Sequence, residues 1–264
     1  MHIVGELINA SRKVVGLAIK EQDSAVIRNL AKTQVENGAD CIDVNAGIFV
    51  EKEADYLKWL VKTVQEETGV PCCIDSPNPA AIEAALSVHK GTAMINSISL
   101  EKDRLNKLIP LLAGTDLKII ALCMSDEGMP ETCDERLMVA EKLVNELVRN
   151  NVSLDNIYVD PLVQPVSTNI QYGMACLGAI EKIMKTLGGC HTICGSSNVS
   201  FGLPVRKLLN RTFVSMAIAK GLDAVIINPL DNLMTSTITA GLALSGQDDF
   251  CMEYIKAFRA DKLS

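Results

Sequence analysis

Residues 41–75 read CIDVNAGIFVEKEADYLKWLVKTVQEETGVPCCID and contain one complete repeat of the pattern that decides the fold. A short apolar run ends at Asp43, and the next one along the chain ends at Asp75. Between them, apolar residues recur at helical spacing from Tyr56 to Val64, and Gly69 follows as a helix stop. This unit predicts a strand buried on both faces, a polar side chain at its carboxyl end and a covering helix.

The same pattern of a short apolar run closed by a small or polar residue occurs eight times. The runs end at Glu6, Asp43, Asp75, Asn96, Ser125, Asp160, Gly195 and Asn228. Amphipathic stretches separate the runs, and Pro204 is predicted to open a helix that ends before Gly221. Eight strand–helix units in a chain of 264 residues predict a single-domain α/β protein, a (β/α)8 barrel. The alternative is a doubly wound open sheet, which would normally have a glycine-rich turn after the first strand, and residues 6–9 contain no glycine.

The composition restricts the classes of binding partner and indicates the cellular compartment. The formal net charge is -7, which argues against nucleic acid as the main partner. No long apolar segment predicts a membrane helix, and the first residues do not resemble a signal peptide, so we expect a cytoplasmic protein. The predicted organisation is a barrel over residues 1–246 and a helical tail over 247–264. We expect that tail to pack on the barrel or on a second subunit.

The nine cysteines include no Cys-x-x-Cys pair, and five of them fall in strand-like runs. These are expected to be reduced core thiols, because free cysteine behaves as a small hydrophobe. The vicinal pair Cys72 and Cys73 could start a zinc site. However, neighbouring residues on a strand face opposite ways, so no metal site is predicted from them.

Polar side chains at the strand ends should converge at the carboxyl end of the barrel, where such barrels carry their active sites. The set is Glu6, Asp43, Asn45, Asp75, Asn96, Asp160 and Asn198. No lysine or histidine ends a strand, which argues against a mechanism that forms a Schiff base on lysine. The set suits either a hard divalent cation or a heterocycle rich in N–H donors such as a pterin, and residue types alone leave both open. Asp43 and Asp75 could instead only cap the helices that follow.

Several strings resemble one family closely. They are Gly5-Glu6-Leu7-Ile8-Asn9, Ile74-Asp75-Ser76, Met94-Ile95-Asn96-Ser97, Tyr158-Val159-Asp160-Pro161-Leu162 and the ten residues 195–204, GSSNVSFGLP. The chain resembles the methyltetrahydrofolate–corrinoid protein methyltransferases and the folate-binding domain of cobalamin-dependent methionine synthase, in order, up to about Leu244. The resemblance implies a (β/α)8 barrel and a methyltransferase that moves a methyl group between N5 of tetrahydrofolate and the cobalt of a corrinoid.

The same resemblance implies the substrates and partners. Tetrahydrofolate or methyltetrahydrofolate is the folate substrate, and cobalamin is the methyl partner, as free methylcobalamin or on a corrinoid protein. The chain lacks the Asp-x-His-x-x-Gly motif of corrinoid proteins, so the corrinoid comes from outside. Relatives are commonly homodimers. The anionic folate tail is expected to contact Arg206 or Arg211.

Roles for individual residues also follow from the resemblance. Asp75, Asn96 and Asp160 are implied to bind the pyrimidine edge of the pterin, and Asn198 is implied to be the catalytic residue beside N5. A neutral carboxamide can stabilise the protonated amine in the transition state without carrying the proton itself. The remaining implied contacts with the pterin are Gly195 and Ser197 in the wall, and Glu6 and Asp43 at the rim or through water.

The sequence departs from the family pattern at one position, and two other functions remain possible. Members of the family often have arginine after the first-strand glutamate, whereas this chain has Leu7, which is expected to change the charge where the corrinoid protein docks. The direction of transfer is therefore open, with a preference for forming methyltetrahydrofolate. A dihydropteroate synthase is the enzyme alternative, but it needs a basic pair where this chain has Ser197 and Asn198. A non-catalytic folate-binding module is the other alternative.

Overall fold

Eight parallel strands form a closed barrel in which each strand pairs with the next along the chain and β8 pairs with β1. The computed structural model describes residues 1–264. The strands are β1 (His2–Asn9), β2 (Cys41–Asn45), β3 (Cys72–Asp75), β4 (Met94–Leu100), β5 (Lys118–Ser125), β6 (Ile157–Asp160), β7 (His191–Gly195) and β8 (Ala224–Ile227). This closed order confirms the (β/α)8 barrel and excludes the open sheet.

Ten helices accompany the strands. They are α1 (Lys13–Glu21), α2 (Ser24–Glu36), α3 (Glu53–Thr68), α4 (Pro79–Leu86), α5 (Lys102–Leu112), α6 (Cys133–Arg149), α7 (Tyr172–Thr186), α8 (Arg206–Ala219), α9 (Asn232–Leu244) and α10 (Met252–Arg259). None of them combines the length and the apolar character that crossing a bilayer requires.

The inside of the barrel is filled by one buried apolar side chain from each strand. This inner plug consists of Val4, Cys41, Cys73, Met94, Ile120, Tyr158, Ile193 and Ala224. Cys72, the neighbour of Cys73, instead belongs to the larger cluster between strands and helices. The vicinal cysteines therefore face opposite ways, as the strand period requires. All nine cysteines are free thiols, and the five in strand-like runs are buried.

The layer above the inner plug decides where the site lies. Side chains alternate along a strand, so a residue two positions further on faces the same way as a plug residue. That rule gives Glu6, Asp43, Asp75, Asn96, Leu122, Asp160, Gly195 and Ile226. Six of these eight positions are predicted site residues. The barrel therefore carries a mainly polar layer directly above its apolar filling, at the carboxyl ends of its strands.

Three details differ from the sequence prediction. Glu6, Asp43 and Asn96 do not end their strands, because β1, β2 and β4 continue beyond them, and β1 and β4 do so with irregularities in register. Two helices rather than one lie between β1 and β2, and the left-handed residue Gln22 separates them. Pro204 does not open a helix, because Val205 takes a left-handed conformation and α8 begins only at Arg206.

The tail of the chain folds back on the last barrel helix. Helix α10 contacts α9, and the hydroxyl of Ser236 accepts a hydrogen bond from the backbone N–H of Ser264. Two large aromatic side chains remain outside these contacts, since Phe250 is 93% exposed and Phe258 is 71% exposed.

The fold makes one glycine of α1 sensitive to substitution. A Cβ added to Gly16 would lie 2.4 Å from the backbone oxygen of Ala10. Alanine normally stabilises a helix interior relative to glycine by up to about 1 kcal/mol. Here the clash with fixed backbone reverses the sign, so we expect Gly16→Ala to lower the free energy of unfolding by about 2 kcal/mol.

Denaturant unfolding measures this effect, and α9 offers a matched control. A Cβ at Gly241 would come closer than ordinary contact distance to one atom only, the terminal Cδ1 of Ile218 at 3.1 Å, and that atom can move. Gly241→Ala is therefore expected to change stability by less than about 1 kcal/mol. A Gly16→Ala protein as stable as the parent would show that α1 does not pack tightly on this backbone.

Candidate active site

Asp43, Asp75 and Asn96 lie side by side at the mouth of the barrel. Asp75 and Asn96 are register partners on β3 and β4. The Asn96 Nδ2 atom donates to Asp43 Oδ1 at 3.4 Å, and Asn45 Nδ2 donates to Asp75 Oδ2 at 2.8 Å. Neither aspartate caps a helix, because Asn78 provides the side-chain cap of α4 and α3 has none. Both are therefore free to take part in a ligand site.

The carboxyl groups of Asp43 and Asp75 lie beside each other, with Asp43 buried and Asp75 half-buried. Burial raises the pKa of Asp43 well above its usual value, and the adjacent charge of Asp75 raises it further. Burial also raises the pKa of Asp75, while the Asn45 hydrogen bond and the Arg104 charge oppose the shift. A pair of buried acids with little counter-charge gains from a ligand that supplies N–H donors.

Asp160 forms the opposite part of the same layer on β6. Its Oδ1 atom accepts a hydrogen bond of 2.8 Å from the backbone N–H of Leu162, and its Oδ2 atom has no hydrogen-bond partner within the chain. Burial raises the pKa of Asp160 to about 7, with the Leu162 hydrogen bond as the opposing influence. The free oxygen is available to accept a hydrogen bond from a bound ligand.

Glu6 and Ser197 line a small cavity beside this layer. The cavity has a volume of about 150 Å³ and is also bordered by Ser196, Asn228 and Asp231. Burial raises the pKa of Glu6. Gly195 ends β7, and a Cβ on it would meet no atom of the chain within 4 Å. The structure therefore leaves open space at the Gly195 backbone, where a ligand could approach.

Asn198 occupies a different position from the other predicted residues. It ends a short 3-10 turn, Ser196–Asn198, that directly follows β7, and its side chain is exposed. Its carboxamide makes no hydrogen bond within the chain, whereas its backbone oxygen accepts from the N–H of Phe201 at 3.1 Å. The carboxamide is thus presented from a loop at the rim rather than from a strand inside the barrel.

Two other expectations about charge at the mouth change with the structure. Leu7 is only 4% exposed and lies near α1 and α2, so it offers no docking surface to a partner. Its side chain points outward because it alternates with inward-facing Glu6. Arg211 is held by Asp231 at 2.6 Å, whereas Arg206 is exposed and donates to the Ser197 oxygen at 2.5 Å. Arg206 is the more accessible of the two arginines for an anionic tail.

Three residues near the site were not found from the sequence. Glu53 is buried in the first turn of α3, and its Oε1 atom accepts a hydrogen bond of 2.6 Å from the Ser76 hydroxyl. Arg104 holds the loop that follows β3 and the backbone of Ser97 within β4, and Arg136 holds the loop that follows β6. All three are charged residues on amphipathic helices, and such residues usually face solvent. No local signal distinguished them.

The structure contains no group of three or more His, Cys, Asp or Glu side chains placed to hold a metal ion. At the mouth, the partners of the acidic oxygens are amides, as in the bond from Asn45 to Asp75. A donor-rich heterocycle fits this arrangement, because carboxylates accept its N–H groups and Asn96 can both donate and accept.

The fold and the site together define a barrel whose mouth presents buried carboxylates and carboxamides to a ligand rich in N–H donors. The chain belongs to the pterin binding enzyme family, whose model matches residues 5–228. This membership confirms the resemblance noted in the sequence.

Two proteins are similar in sequence over most of this chain. The chain is 36% identical over 265 residues to a methylcorrinoid:tetrahydrofolate methyltransferase of Eubacterium limosum, covering 100% of this chain and 98% of that protein. It is 27% identical over 239 residues to a methionine synthase of Mycobacterium tuberculosis, covering 86% of this chain and 20% of that much longer protein.

Solved structures with a similar fold include dihydropteroate synthases. The enzyme of Coxiella burnetii, in complex with pteroic acid, superposes with a TM-score of 0.72 at 13% identity, covering 92% of this chain and 93% of that one. The enzyme of Xanthomonas albilineans with 4-aminobenzoic acid gives a TM-score of 0.70 at 17% identity, covering 93% of this chain and 91% of that one. At these identities the likeness concerns the fold alone.

Proposed function

We propose that the chain is a methyltransferase that moves a methyl group between N5 of tetrahydrofolate and the cobalt of a corrinoid. The observation that carries this proposal is the polar layer above the inner plug, in which Asp75, Asn96 and Asp160 surround the mouth. The full-length similarity to the Eubacterium limosum methyltransferase supports the same reaction.

The pterin-recognising set follows from the hydrogen-bonding capacity of the site. The amino-pyrimidinone edge of a pterin presents several N–H donors together, which a carboxylate can accept in pairs. Asp160 has one unpaired oxygen, and Asp75 and Asn96 are neighbours on adjoining strands. In this proposal, Gly195 and Ser197 form the wall, and Glu6 and Asp43, which lie in the polar layer rather than at the rim, contact the pterin directly or through water.

Asn198 is assigned the catalytic role in this proposal. Toward methyltetrahydrofolate, the N5 lone pair forms the new bond to the methyl carbon, the Co–C bond breaks and both of its electrons stay on cobalt. N5 then releases its proton to water. The exposed carboxamide of Asn198 can accept a hydrogen bond from the protonated N5 amine and stabilise the charge that develops there.

We propose that the physiological direction is from the methylated corrinoid to tetrahydrofolate. The name of the Eubacterium limosum relative describes a methylcorrinoid donor and supports this direction. The corrinoid is a substrate that comes from outside, either as free methylcobalamin or on a corrinoid protein.

We further propose a cytoplasmic homodimer in which residues 247–264 form a tail distinct from the barrel of residues 1–246. The exposed aromatic residues Phe250 and Phe258 support a second subunit at the tail, because large exposed apolar groups often mark interfaces.

A visible-spectrum assay tests the function. Purified protein, methylcobalamin and tetrahydrofolate are mixed without oxygen, and the methylcobalamin band is followed; the reverse reaction starts from cob(I)alamin and methyltetrahydrofolate. Enzyme-dependent spectral change in either direction supports the proposal, and the relative rates address the direction. If neither direction reacts, even with added corrinoid proteins, while tetrahydrofolate binds, the chain is a binding module instead.

Removal of metal ions should leave the reaction unchanged. The proposed chemistry uses hydrogen bonds from the chain and the cobalt of the corrinoid substrate, and no further cation is needed to activate N5 or the methyl group. We expect the rate after dialysis against EDTA to stay within about twofold of the untreated rate, well below the effect of removing one catalytic hydrogen bond. Loss of activity on chelation and recovery with a divalent cation would favour the cation site that residue types leave open.

A further inference from the structure

Arg136 is a charged side chain that is completely buried, with 0% exposure, on α6. All of its hydrogen bonds go to uncharged oxygens, and it forms no ion pair. The acceptors are the backbone oxygens of Pro161 (2.9 Å from Nε), Leu162 (3.4 Å), Glu131 (2.6 Å) and Thr132 (3.1 Å), together with Oε1 of Gln164 (2.5 Å). Two of these acceptors directly follow Asp160 in the chain.

Such burial needs a reason beyond packing. A buried charge without a charged partner is unfavourable, and an apolar side chain of similar volume is often at least as stabilising. The guanidinium offers five donors in a rigid planar fork, which no other side chain provides. At Arg136, that fork joins the start of α6 to the loop that leaves β6.

A second arginine, on the preceding helix, holds the backbone beside the other two recognition residues, Asp75 and Asn96. Arg104, on α5, donates from Nε to the Ser97 oxygen at 2.6 Å, from Nη1 to the Pro77 oxygen at 3.0 Å and from Nη2 to the Ser76 oxygen at 3.0 Å. Ser76 and Ser97 directly follow Asp75 and Asn96. A single guanidinium therefore ties the residues just beyond β3 to the backbone in the middle of β4, the two strands that carry Asp75 and Asn96.

We infer that Arg104 and Arg136 are positioning residues that hold the pterin-recognising set, Asp75, Asn96 and Asp160, in its binding geometry. This inference rests on the proposed function. Each arginine holds backbone oxygens one or two residues beyond a recognition side chain, and Arg104 in addition places its charge, which the lysine variant retains, near Asp75. Carboxylates in a donor-rich site must be placed within fractions of an ångström, so rigid support of their backbone raises ligand affinity.

The experiment compares Arg136→Met, Arg136→Lys, Arg104→Met and Arg104→Lys with the parent protein. Arg149→Met is the matched control, because Arg149 lies on the same helix as Arg136 but is exposed. Calorimetry gives the Kd for tetrahydrofolate, and the methylcobalamin assay gives kcat at saturating folate. We expect the Met variants to raise Kd at least about tenfold and to change kcat less than about threefold, because they loosen binding rather than remove the group beside N5.

The lysine variants separate positioning from simple stability. Lysine keeps the charge but cannot reproduce the fork, so it is expected to restore only part of the lost affinity. If a Met variant does not fold, the affinity of the corresponding Lys variant tests the inference. Lysine still offers a charged donor to the loop oxygens, whereas methionine places an apolar group among them. Folded variants of both arginines that bind tetrahydrofolate as the parent does would overturn the inference, even if they unfold more easily.

A double variant tests whether Arg136 affects the affinity for tetrahydrofolate by positioning Asp160. In an Asp160→Asn background, Arg136→Lys is expected to cause no further loss of affinity, because the group that it positions is already changed. Arg104→Lys acts on the other two ligands and should still weaken binding in that background. Equal further losses from both arginines would contradict a separate role for each. A parent protein that does not bind tetrahydrofolate would instead reject the proposed function, which is a different result.

Discussion

Replacing Asn198 by alanine is expected to lower kcat about 100- to 1000-fold, with the Kd for tetrahydrofolate changed less than about threefold. The carboxamide is assigned to N5, where positive charge is larger in the transition state than in the bound substrate. A group that acts mainly on the transition state affects turnover more than binding. Single-turnover rates from the spectral assay and calorimetric affinities measure the two quantities separately.

The structure makes this variant unusually clean. Asn198 is exposed and its side chain has no hydrogen-bond partner in the chain, so its removal should hardly affect folding. Asn145→Ala, at an exposed position on the outer surface of α6, is the matched control and should leave kcat and Kd unchanged. Loss of folate affinity equal to the loss of turnover would contradict the assignment of Asn198 to N5.

Replacing Asp160 by asparagine is expected to have the opposite signature, weakening tetrahydrofolate binding at least about 100-fold. Asparagine preserves the shape and can still accept the Leu162 N–H bond through its oxygen. It replaces the free carboxylate oxygen with an N–H₂ group, which faces the N–H donors of the pterin. Calorimetry measures the loss, and Asp116→Asn, at an exposed position between α5 and β5, is the control.

The same substitution should stabilise the free protein at high pH. The folded-state pKa of Asp160 is about 7 and its usual value is 3.8, so the folded protein binds the proton more strongly than the unfolded chain does. Stability is therefore greatest below the unfolded pKa and decreases as the pH rises toward 7. Because the side chain is partly accessible to water, we expect Asp160→Asn to raise the free energy of unfolding by about 2 kcal/mol at pH 8.

The pH dependence distinguishes this effect from ordinary repacking. Near pH 4 the aspartate is protonated in the folded protein, so the stability gain from asparagine should be close to zero there. Between these limits, the affinity of the parent for tetrahydrofolate should fall about tenfold per pH unit below pH 7, since the pterin binds the ionised carboxylate. A stability gain that does not vary with pH would contradict burial as the cause of the raised pKa.

These two predictions describe a site whose acidic groups lower the stability of the free protein and bind the pterin of tetrahydrofolate. Asp43 is buried and Asp75 and Asp160 are half-buried, and this loss of hydration raises the pKa of each acid, so each disfavours the folded state at neutral pH. A ligand with matching N–H donors removes this penalty. Tetrahydrofolate should therefore raise the unfolding temperature most at pH values above 7.

Much of the site could be predicted from the sequence because strands have a simple period. The apolar run that ends at Asp75 places Cys73 in the inner plug, and the polar residue two positions later necessarily faces the mouth. The same reasoning locates Asp43 and Asp160. The strand order also follows, because consecutive parallel strands joined by helices become neighbours.

The sequence alone determined that this chain is an eight-unit barrel with acids and amides at its carboxyl end, since strand period and helix period are local properties. Only the tertiary structure decided that Asn198 is presented from the rim, that Leu7 is covered, and that Arg104 and Arg136 turn inward. The acceptors that these arginines hold beside the site lie 7 to 28 positions away in the chain, on the other side of a strand or a loop. A sequence pattern predicts that a charged residue on an amphipathic helix is exposed to solvent. Its burial depends on hydrogen-bond acceptors in other parts of the chain, and the sequence does not show that these acceptors lie nearby.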